Sequence, residues 1–188
     1  MGEIGTMIGT MKHLVVVAFL VFGIPGLARA EEIVDIAFPV EGDVTFTDTF
    51  DAPRSGGRLH QATDIMGEKM MPLLAAVDGV ILFAPTEEPS YGYMIMLGGD
   101  DGYQYNYVHI NNDTPGTDDG IGGTEYVYAP GIAKGVRVER GQHIAYLGDS
   151  GNAEWTADHL HFEILDPNEN PINPYASLLA AQQRLLNA

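Results

Sequence analysis

His60 and Asp64, four residues apart, and His159 and His161, two apart, are side chains whose types and spacing suit a metal ion. A spacing of four puts two side chains on one side of either a strand or a helix, and Gly56-Gly57 just upstream favours strand or loop for the first pair. In His159-Leu160-His161-Phe162-Glu163 an extended backbone projects both imidazoles from one face and sends Leu160 and Phe162 to the other. Two imidazoles and a carboxylate suit zinc, and three protein ligands leave a fourth position for water, which marks a catalytic rather than a structural site. Spacing alone does not say which of His159 and His161 binds the ion.

A third pattern, Tyr105-Asn106-Tyr107-Val108-His109, alternates as a strand does and predicts Tyr105, Tyr107 and His109 on one face. Five histidines lie beyond residue 30, and only His143 stands outside the three patterns. Glu163 is placed either to accept a ring N–H from a neighbouring imidazole or to face solvent. Arg58 and Asn152 flank the ligand segments and are candidates for contacting substrate. Trp155, the only tryptophan, suits either a cleft wall or packing.

The elements that must carry these residues read as mainly β, an antiparallel β-sheet or sandwich with long connecting loops and a short C-terminal helix. Short apolar runs separated by Gly, Pro, Asn and Asp predict strands over Ile33–Phe38, Val44–Phe50, Leu73–Val77, Gly79–Phe83, Tyr93–Leu97, Tyr103–His109, Val136–Glu139, His143–Leu147 and His159–Leu165. Asp78-Gly79 and Gly99-Asp100-Asp101-Gly102 are expected hairpin turns. Asn173 is expected to cap a helix with Pro174 at its first position and Leu178, Leu179, Leu185 and Leu186 on one face. The polar stretch 111–131 reads as a long surface loop beginning two residues after His109, so it is expected to border and gate the site; Asp113, Asp118 and Asp119 within it are solvated carboxylates or calcium ligands off the EF-hand spacing.

Residues 1–30 have the form of a secretory signal peptide: Lys12, an apolar run from Leu14 to Phe22, a Pro25 break, and Ala28-Arg29-Ala30 as the cleavage site. The run is shorter than the roughly 20 residues a membrane span needs, so no stable span is expected after cleavage, and the product is periplasmic or extracellular. Residues 31–188 then form one domain, expected as a monomer, with 25 acidic and 7 basic side chains and a formal charge of −18. Such a charge argues against nucleic acid and anionic membranes as partners, since phosphate contacts want Lys or Arg. With no cysteine, the fold rests on packing and metal rather than on disulfides.

His60-x-x-x-Asp64, the Tyr107-Val108-His109 strand and Gly148-Asp149-Ser150-Gly151-Asn152 leading into His159-Leu160-His161-Phe162-Glu163 together resemble the lysostaphin/LytM-type zinc metallopeptidases of family M23. The likeness runs from about Arg58 to Ile164 and includes residues 72–83 and Val136-x-x-x-Arg140-Gly141-Gln142-x-Ile144. The resemblance implies that His60, Asp64 and His161 hold Zn2+, that His109 and His159 are catalytic, and that the substrate is a peptide of bacterial peptidoglycan. No His-Glu-x-x-His motif is present, so no glutamate base of that kind is expected. The chain departs from the family in its longer acidic loop after His109 and in the bulky approach Ala153–Asp158. Two other readings compete: a non-catalytic zinc-binding regulator of another cell-wall hydrolase, and an acidic β-domain with a structural or calcium site.

Overall fold

Alternation decides the centre of the fold. Along His159–Leu165 every second side chain, Leu160, Phe162 and Ile164, is buried, and the residues between them face the other way. The computed structural model describes residues 32–187, and the expected signal peptide lies outside the described residues. Among the described residues ten strands precede one α-helix: β1 (Thr45–Phe46), β2 (Thr63–Met66), β3 (Pro72–Leu74), β4 (Gly79–Phe83), β5 (Tyr93–Gly99), β6 (Gln104–Ile110), β7 (Arg137–Val138), β8 (His143–Tyr146), β9 (His159–Leu165), β10 (Pro171–Ile172) and α1 (Tyr175–Leu186). The main sheet runs β1-β2-β9-β6-β5-β4-β7, with β10 also on β9, and β3 pairs with β8 in a second small sheet. Every pairing is antiparallel, as the sequence predicts.

One face of the main sheet carries the core. Phe162 stacks near Tyr105 and meets Tyr107 edge-on, with ring centroids 6.4 and 5.3 Å apart. Such pairs add to what the buried area alone contributes. The Tyr107 hydroxyl donates to the carbonyl of Leu74 at 3.0 Å and accepts the N–H of Ala76 at 2.7 Å, so a fully buried phenol is satisfied while it ties the main sheet to the segment beyond β3.

Several expectations change. Asp78-Gly79 does not turn a hairpin, because β3 pairs with β8 while β4 pairs with β5 and β7. Gly99–Gly102 does turn one, between β5 and β6. Residues 33–38 form no strand: they run beside residue 76, joined by Ala37 N–H to Ala76 carbonyl at 2.7 Å, with Ile36 and Phe38 buried. The run Val44–Phe50 shrinks to β1, and β2 and β10 appear where the sequence offers too few apolar residues to announce them. At α1 the N-cap falls on Pro174, one residue later than expected: its carbonyl accepts from Leu178 at 2.9 Å, while Asn173 Oδ1 accepts the Tyr175 N–H at 3.0 Å from just outside the helix. The buried face of α1 is Ser177, Leu178 and Ala181, whereas Leu185 and Leu186 are exposed in its last turn.

The register across β2, β9, β6 and β5 places Asp64, His161, Val108 and Met94 in one row. Cross-strand partners share a face, so this row lies on the side opposite Phe162 and Tyr107. Among the described residues no helix is long and apolar enough to cross a membrane.

Candidate metal and catalytic centre

His60 precedes β2 and is held by a short hairpin: its N–H donates to the Ala52 carbonyl at 2.9 Å and its own carbonyl accepts from Asp51 at 2.8 Å. Its ring is buried, with Nδ1 2.8 Å from the Thr49 carbonyl. A carbonyl only accepts, so Nδ1 carries the proton and Nε2 presents a lone pair. His161 is fixed in the opposite tautomer, since its Nε2 faces Glu163 Oε1 at 3.1 Å and leaves Nδ1 as the acceptor. Glu163 is in turn held by Asn106 Nδ2, which donates to Oε2 at 2.7 Å.

Those two lone pairs and Asp64 Oδ1 converge. His60 Nε2 to His161 Nδ1 is 3.0 Å, and each nitrogen is 3.1 Å from Asp64 Oδ1. Three acceptors this close repel unless a cation, a proton or a metal, lies among them. Bonds of about 2.0–2.1 Å to a tetrahedral zinc put its ligands roughly 3.3 Å apart, so the triangle fits that ion with a small expansion. The charge distribution agrees. Burial pushes the Asp64 carboxyl up, but hydrogen bonds with His161 and His60 outweigh it and hold the group well below the usual carboxylate range. Burial pushes His161 down, yet Asp64 and Glu163 on its two sides raise it to about 8. Glu163 is likewise lowered, burial being outweighed by His161 and Asn106.

His109 reaches the same place by a route that alternation does not foresee. Tyr93 pairs with Ile110 and Met94 with Val108, so His109 is the extra residue of a bulge, with φ of 63°. Tyr105 and Tyr107 keep to the core face, while the bulge turns His109 to the face that carries Asp64 and His161, correcting the expectation that the three share one side. Its ring lies 5.2 Å from that of His159 and 5.8 Å from that of His161, centroid to centroid. Nδ1 is 2.8 Å from the Ser150 carbonyl. Burial pushes this imidazole down to about 4, the Ser150 contact opposing and His159 assisting. His159 Nδ1 faces the Ala157 carbonyl at 2.8 Å. Both rings are therefore Nδ1–H tautomers with Nε2 free to accept a proton.

The loop that supplies Ser150 approaches β5 closely. A side chain on Gly151 would lie 2.2 Å from the Gly92 nitrogen, and both glycines have positive φ. Only glycine permits that contact and that backbone. Ser150 Oγ donates to the Ile110 carbonyl at 2.5 Å and accepts the Tyr93 N–H at 2.9 Å, tying the loop to both sides of the bulge.

All five expected site residues, His60, Asp64, His109, His159 and His161, line one cleft of about 740 Å³, together with Arg58, Asn152 and Glu163. Arg54 lines it too, its Nη2 2.6 Å from Asp64 Oδ2. Nothing in its spacing, ten residues upstream in a Gly-rich hairpin, announces that contact. Trp155 is 80% exposed and is not among the lining residues. Nor is any residue of 111–131, so this loop does not border the cleft as expected. Asp113 and Asp118 gather with Asp149 around the Lys69 ammonium, and Asp119 instead accepts backbone N–H groups of Thr114 and Ile121.

The sequence profile of Peptidase family M23 matches residues 58–174. The chain belongs to peptidase family M23. It is 30% identical over 127 residues to the murein hydrolase activator NlpD of Escherichia coli K12 and equally to that of Shigella flexneri. That match covers 68% of this chain but only 27% of NlpD, so the chain spans about a quarter of its curated relatives. Among solved structures, a LytM of Ruminococcus gnavus aligns at TM-score 0.62 and 26% identity, over 79% of this chain and 61% of that one. The catalytic domain of lysostaphin from Staphylococcus simulans aligns at TM-score 0.56 and 22% identity, over 72% and 92%, which shares the fold.

Proposed function

We propose that this M23 chain is an exported zinc metalloendopeptidase of the periplasm or cell exterior that hydrolyses peptide bonds in bacterial peptidoglycan. The observation that carries the reading is the convergence of His60 Nε2, His161 Nδ1 and Asp64 Oδ1 beside two histidines whose Nε2 atoms are free. These three side chains would hold the zinc. When bound, zinc supplies Lewis acidity, making a water more acidic and polarising the scissile carbonyl.

The remaining work falls to the chain's own groups. His109, kept neutral by burial, accepts a proton from the attacking water at Nε2, and in its protonated form donates to the oxyanion or the departing amine. His159, nearer solvent, shares that duty. Thr49 and Glu163 hold the imidazoles of His60 and His161 in their metal-binding tautomers.

Incubating zinc-loaded protein beginning at Glu31 with purified peptidoglycan tests this directly. Wild type should solubilise the polymer, while His109→Ala and His161→Ala should not, and only the latter should lose zinc. A second reading has its own support: the E. coli relative is named as an activator of murein hydrolases. In that reading the chain binds zinc and peptidoglycan hydrolysis needs a second enzyme. All five side chains for metal and proton transfer are kept, which favours the peptidase.

A further inference from the structure

Lys69, on the connection between β2 and β3, has its side chain mostly buried, at 17% exposed. Its ammonium lies 2.6 Å from Asp113 Oδ2, 3.0 Å from Asp149 Oδ1 and 3.7 Å from Asp158 Oδ1, and it also bonds Asp118. Asp113 and Asp149 are both about 1% exposed. The N–H groups of Lys69 donate to Asp113 and Asp118, and Asp149 Oδ1, which accepts no hydrogen bond, is held beside it by charge alone. Lys69 thus fills the place a divalent cation would take among Asp113, Asp118 and Asp149.

The partners of this lysine are not scattered. Asp149 directly precedes Ser150, whose carbonyl receives the His109 Nδ1–H, and Asp158 directly precedes His159. The backbone runs in step with the side chains: Met70 N–H donates to Leu147 at 2.9 Å, Gly67 N–H to Asp158 at 3.3 Å, and His159 N–H to Gly148 at 3.1 Å. Asp113 and Asp118 belong to the acidic loop, which Lys69 ties to the same assembly.

We propose that Lys69 is a positioning residue for both proton-transfer histidines, acting on His109 through Asp149 and Ser150 and on His159 through Asp158. It is a fixed internal cation that gathers the loop 148–158 and the acidic loop into one rigid wall. The effect on catalysis rests on the peptidase reading above; the effect on the imidazoles does not.

The test uses zinc-loaded protein and two readouts: the ring N–H signals of the histidines by nitrogen-15 NMR, and kcat and KM on peptidoglycan peptides. In Lys69→Met, the His109 and His159 Nδ1–H signals should shift or broaden while His143 is unmoved, with zinc content unchanged. A misplacement on the ångström scale lowers kcat by about ten- to a hundredfold, and KM should change far less. Calcium added to this variant should occupy the vacated carboxylates and recover part of both readouts. Lys69→Arg preserves charge but not ammonium geometry, so it should fall between wild type and Lys69→Met. If Lys69→Met does not fold, Lys69→Arg decides. A folded variant with unaltered His109 and His159 signals overturns the proposal. If wild type cleaves nothing, the peptidase reading fails and the ring signals still judge Lys69.

Discussion

Glu163 Oε1 lies 3.1 Å from Nε2 of His161, on the far side of the imidazole from Asp64. The two carboxylates grip one ring from both ends, so the nitrogen that faces His60 and Asp64 is fixed by the residue two positions on. Replacing Glu163 by Gln keeps the size and a hydrogen bond but removes the charge that makes His161 a better donor. Zinc affinity should fall by about 10–100-fold, the usual cost of losing such a partner, read by competition with a chromogenic chelator. An unchanged affinity would mean that Glu163 is merely a surface carboxylate.

Proton release on metal binding follows from the same ring. His161 is raised to about 8 by Asp64 and Glu163, so in metal-free protein at pH 7 it is mostly protonated and adds stability that is lost as the pH rises through about 8. Zinc must displace that proton. Calorimetry in buffers of differing ionisation enthalpy should show about one proton released per zinc at pH 7, falling toward none above about pH 9. Heats independent of buffer at pH 7 would contradict the assignment of His161 as a ligand.

His109 carries the opposite sign. Held down to about 4 in the fold, against about 6.5 in the unfolded chain, it binds a proton in the unfolded state first. Its contribution is fully present above about pH 6.5 and is lost as the pH falls through about 4, amounting to about 3 kcal/mol. In urea unfolding of metal-free protein, wild type should lose about that much more than His109→Gln between pH 7 and pH 4. Parallel curves would show that His109 is not buried as described.

The core face offers a control on the fold. Phe162 is fully buried between Tyr105 and Tyr107, one register step from His161. Phe162→Ala should cost about 3–5 kcal/mol, and it should weaken zinc binding only through unfolding. A smaller loss, under about 1 kcal/mol, would mean that this face collapses freely on the cavity.

What the sequence announces and what it hides divide along physical lines. Periodicity reads the strand His159–Leu165 to the residue, because one of its faces is buried and the other carries polar side chains. The same reasoning misplaces His109, since a single inserted residue at a bulge inverts parity and leaves no trace in residue type. Asp78-Gly79 has hairpin chemistry, yet strand partners are chosen by long-range packing, and the Tyr107 hydroxyl holds the chain at residues 74 and 76 instead. The grouping of His161 rather than His159 with His60 and Asp64 is implied only by the resemblance to the M23 peptidases, since spacing carries no preference between the two. Lys69 was invisible because its partners lie 44, 49 and 80 residues further on, brought together only by the fold.

The most direct test of the central claim is mass spectrometry of purified cross-linked peptidoglycan fragments incubated with the zinc-loaded chain alone. The peptidase reading predicts products in which one peptide bond has gained a water, absent with His109→Ala although that variant still binds one zinc. Fragments left intact by wild type carrying one zinc, and cleaved only when a second hydrolase is added, would contradict it.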